Sequence, residues 1–516
     1  MSPVSPVPQS RPASLPTPAA IRAIADARPA SPTPHKDSLP AGLADLLGGG
    51  SGKVYTETLD NGVRMVVAER PGAHSVKVQL GIGAGSMQDP KGKLGLAHLL
   101  EHLAFEGSPT RSAAQQQRTR REMGEMWNAY TDRDSVVYYG IAPNNDAKRA
   151  ANLLTDMFMN PNTSKRRVEQ ERAAVTNEMS YHGGSLSDEG WNIAERLVFG
   201  TRPETNNVIG TKQSVNAITA QDLKAYHQAY FTGRNTVALI EGDPAHLPLD
   251  SLRRQLSKLP AGARVDNGTR SPDPIPGQAL QIVNDPSTKT VELDLLIPVA
   301  TRNLMSMKTP AKLITSALNT ALDDRLRRKQ GLTYGASARI EPGDESSSPQ
   351  TMLVHVNTRV PSEHAQDVLT GIIDTIRDAS NGLGEKTFAR DKATMRARIK
   401  TQEGERISVS DRAELAFQDA LLLPGIEVPP AAMPAMQQAQ LSRLRTVRAE
   451  DFARDAGILL NLDHVKVMAT GPIGDKGEAL KAALTAGGLD VSGISMNPVD
   501  LSSYRGSATE VPHNHA

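Results

Sequence analysis

The chain has 516 residues, with 58 Lys and Arg against 57 Asp and Glu, and no cysteine. A net charge of +1 argues against a phosphate-seeking surface or a polybasic membrane anchor, so no nucleic-acid partner is expected. Without thiols there are no disulfides and no cysteine nucleophile, and any metal must be held by His and carboxylate.

Residues 1–52 are rich in Pro, Ser and Ala and close on Gly48-Gly-Gly-Ser-Gly52. Such a segment cannot bury a core and reads as a disordered leader. It lacks the charged start and apolar centre of a secretory signal. No run approaches the ~20 apolar residues of a membrane span. The expected location is the cytoplasm; the alternative is export by a non-classical route through the leader.

Alternating apolar residues follow in Val63–Val67 and Val76–Ile82, as strands require. Helical patterns cover about 94–106 and 113–126, then a strand reads over Ser135–Tyr139, then helices over 145–159 and 165–181. Hairpin-like strands among helices imply an α+β class.

The first helical pattern carries Gly95-Leu-Ala-His98-Leu-Leu-Glu101-His102-Leu-Ala-Phe105. Two histidines at i and i+4 share one helix face. Imidazoles so placed can hold one zinc ion, and Glu101 beside them can take a proton from the water that zinc activates. Burying three polar groups on so apolar a helix is costly unless something satisfies them, and a metal does. A hydrolytic zinc site needs a third ligand. Glu171 and Glu178, seven apart, lie on one helical face two turns apart. Glu178 could complete the set and Glu171 could orient an imidazole. Glutamates on helices are ordinarily solvated, so spacing alone leaves both open.

The chain also repeats itself. Ile218-Thr-Ala-Gln-Asp222 leading to Gly242 pairs without a gap with Val447-Arg-Ala-Glu-Asp451 leading to Gly471. Ser75–Leu80 likewise resembles Thr290–Leu295. A period of about 220 residues is too long for a solenoid and implies two copies of one domain. The expected organisation is the leader 1–52, a catalytic domain 53–255, a Pro- and Gly-rich linker 256–278, a homologous domain 279–475 without a metal site, and a loose segment 476–516. Laying Ala97 on Ala311 puts Lys312, Thr315 and Ser316 opposite His98, Glu101 and His102.

With these residues in hand, the chain resembles a two-domain, bacterial-type inverzincin metallopeptidase, related to pitrilysin, insulysin and the mitochondrial processing peptidase. The resemblance runs over about 53–475 and rests on Gly83–Ser86, Gly95–His102, Asn128–Tyr139 and Glu171–Met179. It implies two homologous α/β-sandwich domains in tandem, each a sheet packed with helices, forming half of a clamshell. It implies one Zn2+ per chain held by His98, His102 and Glu178, with Glu171 behind a ligand and Glu101 as general base. It implies that Asn128, Ala129, Tyr130 and Thr131 form an edge on which an extended peptide adds as a strand. In Leu326–Tyr334 it implies that Arg327 and Tyr334 stabilise the oxyanion of the transition state. The expected function is hydrolysis of unfolded peptides, by a homodimer or a heterodimer with a sister subunit. The alternatives are a non-catalytic scaffold subunit of the same fold, or a maturation or effector protease with a narrow substrate.

Overall fold

The computed structural model describes residues 52–500, apart from 125, 183–185, 201–206, 266–273, 287, 301–303, 343–350, 383–384, 404–407, 423–445, 475 and 491–498. The expected leader, save Gly52, lies outside these residues.

The first half begins with β1 (Lys53–Thr58), β2 (Arg64–Glu69) and β3 (Ser75–Ile82), then α1 (Leu96–Ala104) and α2 (Ala113–Glu122). Next come β4 (Trp127–Thr131), β5 (Val136–Pro143), α3 (Ala147–Met159), α4 (Lys165–His182) and α5 (Leu186–Phe199). It ends with α6 (Ala220–Tyr230), β6 (Thr236–Gly242) and α7 (Leu249–Leu256). The strands form one sheet in the order β1-β2-β6-β3-β5-β4. Every residue of the central strand β6 is buried, which is why Thr236-Val-Ala-Leu-Ile is nearly continuous in apolar character.

The second half contains β7 (Ala279–Asn284), β8 (Thr290–Ala300), α8 (Leu304–Leu322), β9 (Ala336–Pro342) and β10 (Thr351–Pro361). It continues with α9 (Ala365–Ser380), α10 (Glu385–Glu403), α11 (Val409–Leu422), α12 (Ala449–Leu459), β11 (Lys466–Gly471), α13 (Lys476–Ala486) and β12 (Val499–Asp500). Its sheet runs β9-β10-β8-β11-β7-β12.

The repeat seen in the sequence extends to strand register. In the first sheet β2 pairs parallel with β6, Arg64 opposite Val237, and β3 pairs antiparallel with β6, Lys77 opposite Glu241. In the second, β7 pairs parallel with β11, Ala279 opposite Lys466, and β8 pairs antiparallel with β11, Glu292 opposite Thr470. These are the same pairings carried from one copy to the other. The halves are two sheet-and-helix layers in tandem, as the repeat implied.

Each sheet packs one face on its own helices. In the first half, Val76, Val78 and Leu80 meet Leu96, Leu99 and Leu103 of α1 and Leu153, Leu154 and Phe158 of α3. The opposite faces are covered by exchange. Helix α11, from the second half, lays Ala413, Phe417 and Leu421 on Val66, Ala68, Val137, Val237 and Leu239 of the first sheet. Helix α5, from the first half, lays Ile193, Ala194, Val198 and Phe199 on Val283, Leu296, Leu353 and Met468 of the second. Gly81 makes room for α11: a Cβ there would lie 2.9 Å from the Phe417 ring. Glu414 of α11 also accepts from Lys77 Nζ at 2.9 Å and Gln79 Nε2 at 3.1 Å.

One expectation is corrected. Residues 476–486, read as the start of a loose segment, form α13, which buries Ala483 and packs Leu480 and Leu484 into the second core. Val499 and Asp500 pair with β7. The sequence there is rich in Ala and Gly, and its few apolar residues find partners far back in the chain, on α9 and in the second core.

The exchange predicts that the halves do not fold independently. Phe417→Ala should cost about 3–5 kcal/mol in denaturant unfolding, as for other buried Phe truncations. A fragment spanning 53–255 leaves the Val66, Val237 and Leu239 face bare, and should be aggregated or molten. A monomeric fragment with a cooperative unfolding transition would contradict the exchange.

Candidate metal centre

Helix α1 is held at both its start and its face. Gly95 stands at its N-cap with φ 89°, and a Cβ there would lie 2.5 Å from the Ile209 carbonyl oxygen. Glycine is the residue that tolerates both conditions. The helix's first amides are capped from outside: Asp89 accepts from the N–H groups of Gly95 at 2.7 Å, Leu96 at 3.2 Å and Ala97 at 2.9 Å. Burial pushes the Asp89 carboxyl up to about 7 against those three donors, which favour its charged form. Nothing local marks Asp89 as a cap, because it sits six residues before the position a capping side chain normally occupies.

With Leu96, Leu99, Leu100 and Leu103 buried, His98, Glu101 and His102 project toward α4 and β4. There α4 supplies Glu171 and Glu178. His98 Nε2 lies 3.7 Å from Glu178 Oε1, and His102 Nε2 lies 3.2 Å from Glu178 Oε2. The two imidazoles meet edge to face with centroids 4.7 Å apart. One ligand atom from each of His98, His102 and Glu178 falls within 4.8 Å of the others. Zinc bound at ~2.0–2.1 Å leaves neighbouring tetrahedral ligand atoms about 3.4 Å apart. The two nitrogen–oxygen separations, 3.7 and 3.2 Å, lie near that spacing, and two nitrogens with one carboxylate are a zinc-like donor set. These residues fit a metal ion.

His102 Nδ1 faces Glu171 Oε2 at 3.4 Å. That leaves Nε2 for the cluster and fixes the ring's orientation, as a carboxylate behind a ligating histidine does. Burial alone would depress the His102 pKa, but Glu171, Glu178 and Glu101 outweigh it and raise it to about 10. The three carboxylates thus favour the protonated, cationic form of this imidazole. Glu101 is 8% exposed; burial pushes its carboxyl up to about 6, opposed by a hydrogen bond from Thr131 Oγ1 to Oε2 at 2.7 Å.

The expected substrate edge lies beside this cluster. β4 pairs with β5 alone among the described strands, so one side of its backbone is unpaired. Asn128 is exposed and Ala129 buried on the side of α1. Tyr130 points to the other face, where its hydroxyl accepts from Gln418 of α11 at 3.2 Å. Thr131 turns to Glu101. The following turn is anchored by Arg133, which donates to Glu195 of α5 at 2.7 Å. Neither Arg133 nor Glu195 stands out in the sequence, because their contact joins segments with no shared periodicity.

Arg327 and Tyr334 are placed elsewhere. Arg327 lies in a π-helical turn, Asp323–Lys329, and pairs with Asp323 at 3.3 Å. Tyr334 is 100% exposed. Among the described residues neither makes a polar contact with His98, His102 or Glu178.

Comparison with known proteins places the chain among peptidases. A family model described as "Insulinase (Peptidase family M16)" matches residues 64–186, and one described as "Peptidase M16 inactive domain" matches 217–395, together more than half of the chain. An uncharacterized zinc protease of Mycobacterium tuberculosis is 26% identical over 377 residues, covering 70% of this chain and 83% of its own. The mitochondrial-processing peptidase subunit beta of Neurospora crassa is 29% identical over 249 residues, 47% of this chain and 52% of its own. Among solved structures, the first half of the periplasmic protease PqqL from Escherichia coli superposes with a TM-score of 0.68 at 18% identity, covering 86% of this chain and 98% of that one. No helix among the described residues is long and apolar enough to cross a membrane.

Two outcomes test the centre. Titrating zinc into metal-free protein between pH 7 and 8 should release about one proton, from His102, because the ligand must bind deprotonated; calorimetry in buffers of different ionisation enthalpy measures it. Glu171→Gln should weaken zinc affinity by about 10- to 100-fold while leaving the three ligands in place.

Proposed function

Because the chain belongs to the M16 (insulinase) peptidase family, we propose that it is a zinc-dependent endopeptidase acting on unfolded peptides. The observation that carries this reading is the meeting of His98, His102 and Glu178 in one ligand-sized cluster, with Glu101 alongside and an unpaired strand edge next to it.

His98, His102 and Glu178 would hold the ion. Zinc, when bound, supplies Lewis acidity that activates water and polarises a carbonyl at neutral pH. Glu101 accepts the proton of the attacking water and delivers it to the leaving nitrogen, which requires the carboxylate form at the start. Glu171 keeps the His102 ring in one tautomer. An extended peptide pairs with the free edge of β4 from Asn128 to Thr131, so main-chain hydrogen bonds supply affinity for many sequences. In most of a folded protein the backbone hydrogen-bonding groups are already paired, so an unfolded peptide is the better source of such a strand.

Arg327 and Tyr334 remain candidates for stabilising the oxyanion. Their exposure suits groups that act on a second protomer or a sister subunit rather than in their own chain. One relative is itself named as a subunit, of the mitochondrial processing peptidase. The alternative of a non-catalytic scaffold is disfavoured by the presence of all three ligands and the base in one place.

The test is cleavage of an unstructured peptide library by the purified protein. Wild type should cut, and should stop on zinc chelation and recover on zinc addition. Glu101→Gln should keep its zinc and lose at least ~100-fold in kcat, the range that general acid–base catalysis supplies. Glu101→Gln protein cutting at the wild-type rate would overturn the assignment of the base.

A further inference from the structure

We propose that Thr131 is a positioning residue for the general base: its hydroxyl, donating to Glu101 Oε2 at 2.7 Å, aims the carboxylate so that the other oxygen can receive a proton. The inference rests on the reading of Glu101 as that base.

Glu101 reaches its place through three rotatable bonds, and nothing in helix α1 itself fixes the end of that arm. A hydroxyl donating to a carboxylate at 2.7 Å is a short, charge-assisted bond, about twice as strong as a neutral one. The donor is stiff as well as close. Thr is branched at Cβ, so its χ1 is restricted and the hydroxyl direction follows the strand backbone. Thr131 is the last residue of β4, opposite Val136 of β5. The base is therefore aimed by the same strand whose free edge would take the peptide. A slip of one residue in that strand would turn the hydroxyl to the opposite face. Correct strand register and correct aim of the base are thus one condition.

The duplicated half separates this role from a role in folding. β3 pairs with β5 with Ser75 opposite Pro143, and β8 pairs with β10 with Thr290 opposite Pro361. Val136 then corresponds to Val354, whose partner on β9 is Ile340. The counterpart of Thr131 is therefore Ile340, which packs against the second hydrophobic core. The counterpart of Glu101 is Thr315, whose hydroxyl donates to its own helix, at the Ala311 carbonyl oxygen, at 2.8 Å. The fold builds the same strand against the same helix without a hydroxyl–carboxylate pair. The pair is present in the half that has the metal ligands and missing from the half that has Lys312 and Ser316 instead.

The experiment compares full-length wild type, Thr131→Val, Thr131→Ser and Glu101→Gln on a peptide that wild type cleaves. It reads kcat, KM, zinc stoichiometry and melting temperature. Val keeps the shape and removes the hydroxyl; Ser keeps the hydroxyl. Thr131→Val is expected to lose about 10- to 100-fold in kcat, less than the ~10²- to 10⁴-fold that the base itself supplies, because the carboxylate remains. Its KM should stay within about twofold of wild type, with zinc content unchanged, and Thr131→Ser should recover most of the rate. If the Val variant does not fold, Thr131→Ala takes its place with the same expectations. Full kcat in the hydroxyl-free variant overturns the proposal, as does a loss carried by KM or zinc content, or a Ser variant as slow as Val. An active Glu101→Gln would instead overturn the reading of the base on which it rests. An inactive Glu101→Gln beside a fully active Thr131→Val overturns the positioning role alone.

Discussion

Helix α1 has no freedom to turn about its own axis. Leu96, Leu99, Leu100 and Leu103 are each at most 1% exposed, and rotating any of them out would forfeit about 1.5–3 kcal/mol. That constraint decides where His98, Glu101 and His102 point, since all are on one rigid rod. The cap from Asp89 and the tight passage at Gly95 fix the rod's start, so the helix cannot slide along its axis either. Given α1 in place, α4 needs only to lie across it for Glu171 and Glu178 to meet the imidazoles. The meeting of His98, His102 and Glu178 is thus a consequence of core packing on one side of a nine-residue helix.

The duplication supplies the frame around that helix. Both halves place a buried strand, β6 or β11, between one parallel and one antiparallel neighbour. Both also need a helix on the face that their own helices do not cover. Each half obtains it from the other, α11 on the first sheet and α5 on the second. Strand β4 consequently stands between two helices of different origin. Thr131 and Ala129 face α1, and Tyr130 reaches Gln418 of α11. Arg133, just beyond, is tied to Glu195 of α5. The free edge beside the metal cluster is held in position by contacts that cross from one half to the other.

Much of this is legible in the sequence because it is local or periodic. The spacing of His98 and His102 puts them on one face, and the spacing of Glu171 and Glu178 does the same for α4. The match between 218–242 and 447–471 is enough to imply two halves, and the strand registers follow it. What is not legible depends on contacts far apart in the chain. Nothing in the sequence of α11 says that the face it covers belongs to the other half. Asp89 caps a helix from outside the capping position. Thr131 reads as one more residue of a peptide-binding edge, because only the strand's approach to α1 gives its hydroxyl a partner. Residues 476–486 read as loose because their few apolar side chains find partners only through distant contacts such as those with α9.

The charge arrangement around His102 sets what the candidate site can hold. Glu101, Glu171 and Glu178 crowd one imidazole, and three carboxylates at such distances repel one another strongly in a partly buried place. A proton on His102 offsets that repulsion, which is why its pKa is raised to about 10. A basic group with a raised folded-state pKa adds stability that is fully present below its unfolded value of about 6.5, and that stability is lost as pH climbs through 10. The proton occupies the electrostatic role that a dication would take over, with the same ligands already facing inward. The fold thus brings three carboxylates around one imidazole, an arrangement whose negative charge calls for a cation, whether a proton on the ring or a metal ion.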